Sequence, residues 1–494
     1  MGKSVLVVGT GLGGIATALR LVKRGYKIHM VEKNKQAGGR LNELNIDGFR
    51  FDMGPTFFSM SYEFDELIKD CDIKLPFTLK ELEPLYAVNF TGTEKSYYIY
   101  KDLNKLSEQF SEIEPGFKNN INKYLDSNAK FYKSINQPVI HSNFNSVADF
   151  LFKLTKVPLI FAPKLFYNIW QEVCKYFNSY EVRTIMSLVA FFLGSSPFET
   201  LSVYNILNYT KLVHDGYYIV EGGMYRLVKN LVKILEEKGV KIYYNTEIID
   251  YKAKNNKLSG LIDQNGNVWE SDIYVINADA ALFRNKIFKR NKYNDRKLYR
   301  MKWSMAPFTI YLGLNTKISN IYFHHYFLGD NFEEYSRKVF KNAISLDKPY
   351  YYVNLLSHLN KNSAPEGCES IFILCPVADL RFKPHWDDKE EIADNIITDL
   401  SRRIDFDIIS KTVARTIFTP TDWQNMFNLY MGSGLGLAHN FKQIGAFRPK
   451  NYDEVYDNTF YVGSSTIPGT GLPMAIISSK LTTERITNKY GSLS

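Results

Sequence analysis

The sequence predicts an α/β fold in which one parallel sheet is assembled from distant stretches of chain. Three observations carry this. SVLVVGTGLGGIATALRLVKRGYKIHMVEKN, beginning at Ser4, has the order strand, glycine turn, helix, strand. The alternation returns after Val220 in EGGMYRLVKNLVKILEEKGVKIYYNTEIIDY. It returns again in YVGSSTIPGTGLPMAIISSK, Tyr461 to Lys480, where a short apolar run meets Gly, Ser, Thr and Pro before an apolar helix.

The first unit is the most informative. Val5 to Val8 are continuously apolar, as in a strand buried on both faces. Gly9, Gly11 and Gly14 follow in G-x-G-x-x-G spacing. The first glycine permits the tight turn, the second lets a pyrophosphate approach, and the third lets the helix pack on the strand. A helix is expected from about Gly13 to Arg24, stopped by Gly25, with its N-terminal amides favouring phosphate. Glu32 closes the second strand, which runs from Lys27, about twenty residues beyond the turn, where a carboxylate accepts both ribose hydroxyls. A 2′-phosphate would be repelled there, which disfavours NADP.

A chain of 494 residues exceeds one compact domain, so two or three are expected. Aromatics make up 15% of the chain, which suits a large apolar cavity or a membrane-facing surface; biased codon usage accounts for it equally well. The net charge of +9 is spread along the chain without a nucleic-acid-binding signature, so no nucleic-acid partner is expected. Diffuse positive charge suits an anionic membrane surface or an ordinary solvated one. Cys71, Cys174, Cys368 and Cys375 show neither CxxC nor metal spacing, which points to a reducing compartment, no disulfide framework and no metal. Met1 leads directly into a strand and no apolar run reaches the length of a span. The expectation is a cytoplasmic protein, soluble or peripherally attached to a membrane.

From about Leu85 to Thr210 the pattern reads as helical. Ser146 to Phe177, SVADFLFKLTKVPLIFAPKLFYNIWQEVCKYF, mixes apolar and aromatic residues with Lys153, Lys156, Lys164 and Lys175, and Pro158 and Pro163 break it into short pieces. It reads either as an element dipping into a membrane interface or as a cap burying its apolar face on the protein. After Val220 a helix striped by Leu227, Leu231, Ile234 and Leu235 ends at Gly239, and a strand follows from Lys241. A hairpin turning at Asn265-Gly266 and a strand ending at Asn277-Ala278-Asp279 come next. FTIYLGL, PYYYVNLL and PEGCESIFILCPV give residues 300–410 a sheet character. His324 and His325 are adjacent, a poor metal geometry, and are expected as surface or pocket residues.

NKQAGGRLNELNIDGFRFDMGPTFF, from Asn34, carries a glycine pair and Arg40 just after the second strand. With the GTGLGG turn, EGGMYRLV, NADAA, SAPEGC, FRP at Phe447 to Pro449 and YVGSSTIPGTGLPM, it resembles the bacterial and fungal phytoene desaturases, including the dehydrosqualene and diapophytoene desaturases, over nearly the whole length. The resemblance implies a discontinuous, Rossmann-like FAD-binding domain of the amine-oxidase and glutathione-reductase type from residues 1–80, 211–280 and 415–494. It implies a helical, membrane-facing substrate region over 81–210 and a sheet-containing substrate domain over 281–414. FAD would be held by Gly9, Gly11, Gly14, Glu32, Gly39, Arg40, Gly54, Pro55, Thr56, Gly463, Gly471 and Met474. Arg40 would bring a fork-shaped cation near phosphate. The C-terminal turn would close on the flavin half, its helix N-terminus favouring the negative charge of reduction.

The implied reaction is dehydrogenation of a long polyisoprenoid hydrocarbon drawn from a bilayer, with hydride passing to flavin and quinone or oxygen as final acceptor. Related polyene chemistry (3,4-desaturation, isomerisation, oxidation of a terminal methyl) and non-catalytic lipid binding of the Rab GDP-dissociation-inhibitor type are the alternatives. Relatives commonly carry histidine in STHPGTG where this chain has Ile467, so no acid or base is assigned.

Overall fold

A computed structural model describes residues 2–74, 76–341 and 349–492. The strands Lys241–Tyr243, Lys27–Val31, Ser4–Val8, Ile273–Ile276 and Thr459–Tyr461 lie side by side in that order, all parallel. Val5, Val7, Val275 and Phe460 from this sheet pack with Ile15, Leu19, Leu231 and Ile476 of the covering helices in one apolar core. Continuous apolar strands are required there because helices pack against the sheet. The helix Leu12–Lys23 stops where Gly25, at φ +82°, lets its N–H reach Val22 O and the Tyr26 N–H reach Leu21 O.

Beside this sheet, Ile248–Lys254, Lys257–Asp263 and Val268–Trp269 form an antiparallel meander. Its second connection carries Asn265 and Gly266, with Gly266 N–H donating to Asp263 O at 3.0 Å. Phe58–Ser59, Tyr217–Val220 and Leu79–Glu81 make a small sheet that leads from the nucleotide side into the second half of the molecule.

That half rests on a seven-stranded sheet ordered Thr412–Phe418, Ala306–Leu314, Glu369–Val377, Tyr351–Asn354, His324–Leu328, Tyr86–Phe90 and Ser96–Ile99. The last two strands correct the helical reading of the chain after Leu85. YAVNF and SYYI are aromatic and β-branched, and the connection between them is too short for anything but a hairpin. His324 and His325 are also corrected: both are buried within their strand, not at the surface. The remaining stretch to Thr210 is helical, and its Ser146–Phe177 part divides at the prolines into Val147–Leu154, Leu159–Leu165 and Ile169–Val173. Among the described residues no helix is long and apolar enough to cross a membrane.

Arg20 fastens the first helix to its neighbours. It is fully buried, and its guanidinium reaches Glu66 and Asp70 of Ser61–Cys71 and Ser479 Oγ of Leu472–Tyr490. Removing one partner of a buried ion pair leaves the others uncompensated. Arg20→Met is expected to cost about 3 kcal/mol in urea denaturation, while Lys233→Met, at an exposed pair with Glu237, costs less than about 1 kcal/mol.

Candidate functional site

The N-terminal glycine turn closes around a side chain from another strand. Asn277, at the end of Ile273–Ile276, donates from Nδ2 to Gly9 O at 3.3 Å. A Cβ on Gly11 would sit 2.8 Å from Asn277 Nδ2, and one on Gly13 or Gly463 would sit 2.9 Å from its Oδ1. A Cβ on Gly14 would come within 2.4 Å of Gly9 O. Glycine is therefore the residue these positions accommodate without displacement. Gly38 meets the turn in an isolated bridge with Gly11, and Gly39 stands with φ +57° against Gly11 Cα. Glu32 is buried beneath, its Oε2 accepting from Thr10 N at 2.9 Å and its Oε1 from Asn34 N at 2.9 Å.

The C-terminal turn lies across the same opening. Arg40 joins the two, donating to Gly434 O at 2.7 Å and Ser464 Oγ at 2.6 Å. Arg448, of the FRP stretch, is buried and donates to Ser464 O at 2.8 Å and Thr466 O at 3.2 Å. Burial pushes its pKa down to about 10, still leaving it charged at neutral pH. Ile467 points away into a cluster with Phe144, Phe150 and Leu481. The imidazole beside this turn is His439, whose Nε2 accepts from Thr470 N at 3.3 Å. Its Nδ1 is buried without a partner among the described residues. Burial holds its pKa well below the usual imidazole value, so the ring is neutral.

A cavity of about 1730 Å3 runs between the turns and onward into the second half. Gly9, Gly11, Glu32, Gly39, Arg40, Gly54, Pro55, Thr56, Gly463, Gly471 and Met474 all line it. Gly14 does not; it sits behind, where the helix meets the turn. Gly54 approaches Arg40 so closely that a Cβ would lie 2.1 Å from its carbonyl oxygen. Asp52, just before it, accepts from Met224 N at 3.0 Å, and burial pushes its pKa up to about 6.

Beyond Thr56 the lining becomes apolar. Tyr326 pairs with Tyr352 across neighbouring strands, and Tyr352 with Leu374 across the next pair, so the register sets all three in one row facing the cavity. The mouth is formed by the segment broken at the prolines: Leu151, Leu154, Pro158, Leu159 and Phe161 line it. Leu159, Ile160 and Phe166 are 87%, 80% and 81% exposed, while Phe150, Ile169, Val173 and Phe177 of the same segment are buried on the protein. Lys164 lies within this segment but is buried and paired with Glu172 at 2.8 Å.

Residues 12–487 match the family described as flavin containing amine oxidoreductase. The chain belongs to this family. It is 31% identical to a phytoene desaturase of Fusarium fujikuroi, over 99% of this chain and 90% of that one. It is 29% identical to a zeta-carotene-forming phytoene desaturase of Myxococcus xanthus, over 98% and 94%. It is 27% identical to a 4,4'-diapophytoene desaturase of Staphylococcus aureus (strain Newman), over 98% of each. Putrescine oxidase bound to putrescine superposes with TM-score 0.66 at 12% identity, over 99% of each chain. The fold is thus that of the flavin-dependent amine oxidases, and this flavin oxidoreductase uses FAD. The residues present fit such a group. Gly9, Gly11, Gly39 and Gly463 line the cavity without side chains to fill it, the buried carboxylate Glu32 lines it beside them, and His439 Nδ1 is an unpartnered buried polar atom among the described residues.

Sequence reasoning did not single out Asn277 as a site residue, and it missed His439. A polar residue at the C-terminal end of a buried parallel strand is a usable signal for the first, because ligands bind at that edge of α/β sheets. His439 lies in an irregular stretch and has no local signal. Lys211 was missed too. It is buried, donates to Tyr86 Oη at 2.7 Å, and burial pushes its pKa down to about 7. The unfolded chain binds this proton up to its ordinary value near 10.5, so stability rises as pH climbs from about 7 towards 10.5. Lys211→Met removes that dependence. Its Tm advantage over wild type is expected to be larger at pH 6.5 than at pH 9, measured by differential scanning calorimetry.

Proposed function

We propose that the protein is an FAD-dependent carotenoid desaturase that introduces double bonds into a long polyisoprenoid such as phytoene or diapophytoene. The observation that carries this is the single cavity that begins at the glycine turns and continues as an apolar, aromatic-lined space opening among exposed apolar side chains. A hydrocarbon has no polar handle, so length and shape of such a space are what select it. The named desaturases among the relatives supply the reaction class.

Bound FAD supplies the two-electron acceptor that no side chain provides. The chain's own part is to hold the polyene alongside it. The glycine turns fix the nucleotide end. The helix Leu472–Tyr490 begins at the cavity wall, where its N-terminal amides favour negative charge. The row Tyr326, Tyr352 and Leu374 forms the floor along which the chain lies. A quinone or oxygen reoxidises the enzyme, which works in the cytoplasm against a membrane surface.

Expression in bacteria that accumulate either the C30 or the C40 precursor, with pigments separated by chromatography, tests the reaction. Newly conjugated products are expected from at least one precursor. Unchanged precursor in both strains, with flavin-loaded protein present, would sink the reading. The surface is tested separately: Ile160→Glu with Phe166→Glu is expected to reduce sedimentation with phosphatidylglycerol vesicles at least tenfold while leaving flavin content unchanged. Equal sedimentation would place the membrane contact elsewhere.

A further inference from the structure

Where the cavity passes Thr56 its wall is made of packed aromatic rings. Phe57 stands 4.9 Å from Tyr217, 5.5 Å from Phe192 and 5.7 Å from Tyr352 between ring centroids, and Tyr326 stands 5.0 Å from Tyr352. All five line the cavity. Their planes are inclined to one another by 39° to 83°, so the rings do not share one orientation along the wall. The carboxylate side chains that line the cavity, Glu32, Glu247, Asp279 and Asp295, belong to the nucleotide half and its adjoining helix and not to this wall.

We propose that this aromatic wall stabilises positive charge on the bound polyene, so that the site binds a delocalised hydrocarbon cation more tightly than the neutral chain. The proposal rests on the desaturase reading. There, the electron pair of one allylic C–H bond would leave with its hydrogen as hydride, for which bound FAD would be the acceptor, and would leave an allylic cation. The neighbouring C–H bond then breaks, its electron pair becoming the new π bond and its proton passing to water. The quinone or oxygen named above takes up the two electrons. Ring faces carry negative quadrupole charge and attract a cation most strongly when it is desolvated. They do so without an ionised carboxylate, which an apolar tunnel would hold only at high cost.

Tyr352 is anchored within this wall by its hydroxyl. Its hydroxyl lies 2.7 Å from Thr56 Oγ1 and also meets His324 Nδ1. Asn354 Nδ2, a donor, is 3.2 Å from the same Nδ1. The two hydroxyl contacts hold the Tyr352 hydroxyl in place between Thr56 and His324. Burial keeps His324 neutral and Tyr352 protonated, so the arrangement persists across the working pH range. Lys211 lies behind the wall against Tyr86, which itself packs on Phe57 and Tyr326.

The test uses oxidised holoenzyme at pH 8.5, where Lys211 is uncharged. Two probes are titrated in neutral detergent by the change in flavin absorbance: a dimethylammonium carrying two polyprenyl chains, and its isostere with carbon in place of nitrogen. Trifluorophenylalanine at Phe57 and Phe192 keeps ring shape and weakens the quadrupole. The ratio of ammonium to neutral affinity is expected to fall about threefold to thirtyfold relative to wild type, with neutral affinity nearly unchanged. Phe57→Leu and Tyr217→Leu should lower the same ratio. If fluorination leaves the ratio unchanged, or weakens both probes equally, the wall only packs the chain and the proposal falls even where desaturation is observed. If the ratio falls as expected but wild type forms no conjugated product, the wall binds cations and the desaturase reading is the one overturned.

Discussion

The arrangement of the nucleotide half depends on the space around one side chain. Asn277 stands at the end of a central strand, and Gly11, Gly13, Gly14 and Gly463 all come so close to it that a Cβ would have to displace it. Gly13 and Gly463, far apart in the chain, both crowd the Asn277 Oδ1. Once the strands pair in parallel, the turn after the first strand and the turn after the last must share that corner. Glycine lets them do so while Asn277 still donates to Gly9 O. The adjoining edge, at the C-terminal ends of the strands, is where an α/β sheet holds its ligand.

Around that corner the structure is polar and tightly committed. Arg40 and Arg448 are both tied to carbonyl oxygens or hydroxyls of the C-terminal turn, and Arg20 holds the outer side of the two helices that leave the turns. Asp52 accepts backbone N–H groups from the segment after Val220 and so fixes the Gly54 approach to Arg40. Buried groups of this kind are costly unless each finds a partner. A network with little slack suits a cofactor site, in which small displacements matter. The apolar half is built differently, from cross-strand rows and packed rings, where shape is set by side-chain volume.

Much of this was legible in the sequence because the signals were local. The first strand, glycine turn, helix and second strand follow from a run of thirty residues, and so does the Asn265-Gly266 turn. The strands at Tyr86–Phe90 and Ser96–Ile99 were not legible, because they are short and lie beside long helical stretches, and they are held by pairing with His324–Leu328 far along the chain. The burial of His324 and His325 follows from that pairing and from rings contributed by Phe57 and Phe327. Ile467 and His439 show the same limit within the site. The sequence marks Ile467 as a departure from a family pattern. Only the fold reveals that its side chain turns into a separate apolar cluster and that an imidazole from an irregular stretch stands against Gly469 and Thr470.

The mouth of the cavity follows from the chemistry of the substrate class. A polyisoprenoid loses about 0.8 kcal/mol for each CH2 moved from an apolar phase into water. For a chain of roughly thirty carbons, passage through water would cost on the order of 20 kcal/mol. An apolar opening spares part of that cost, and Leu159, Ile160 and Phe166 are exposed beside an opening lined by Leu151 and Phe161. The breaks at Pro158 and Pro163 keep the pieces short, so their apolar side chains can stay exposed while the pieces pack against the protein. Lys164, which would resist entry if free, is folded inward onto Glu172. From that opening the lining runs through Leu151, Leu154 and Phe161 to the aromatic wall, and the carboxylates lie at the nucleotide end and its adjoining helix.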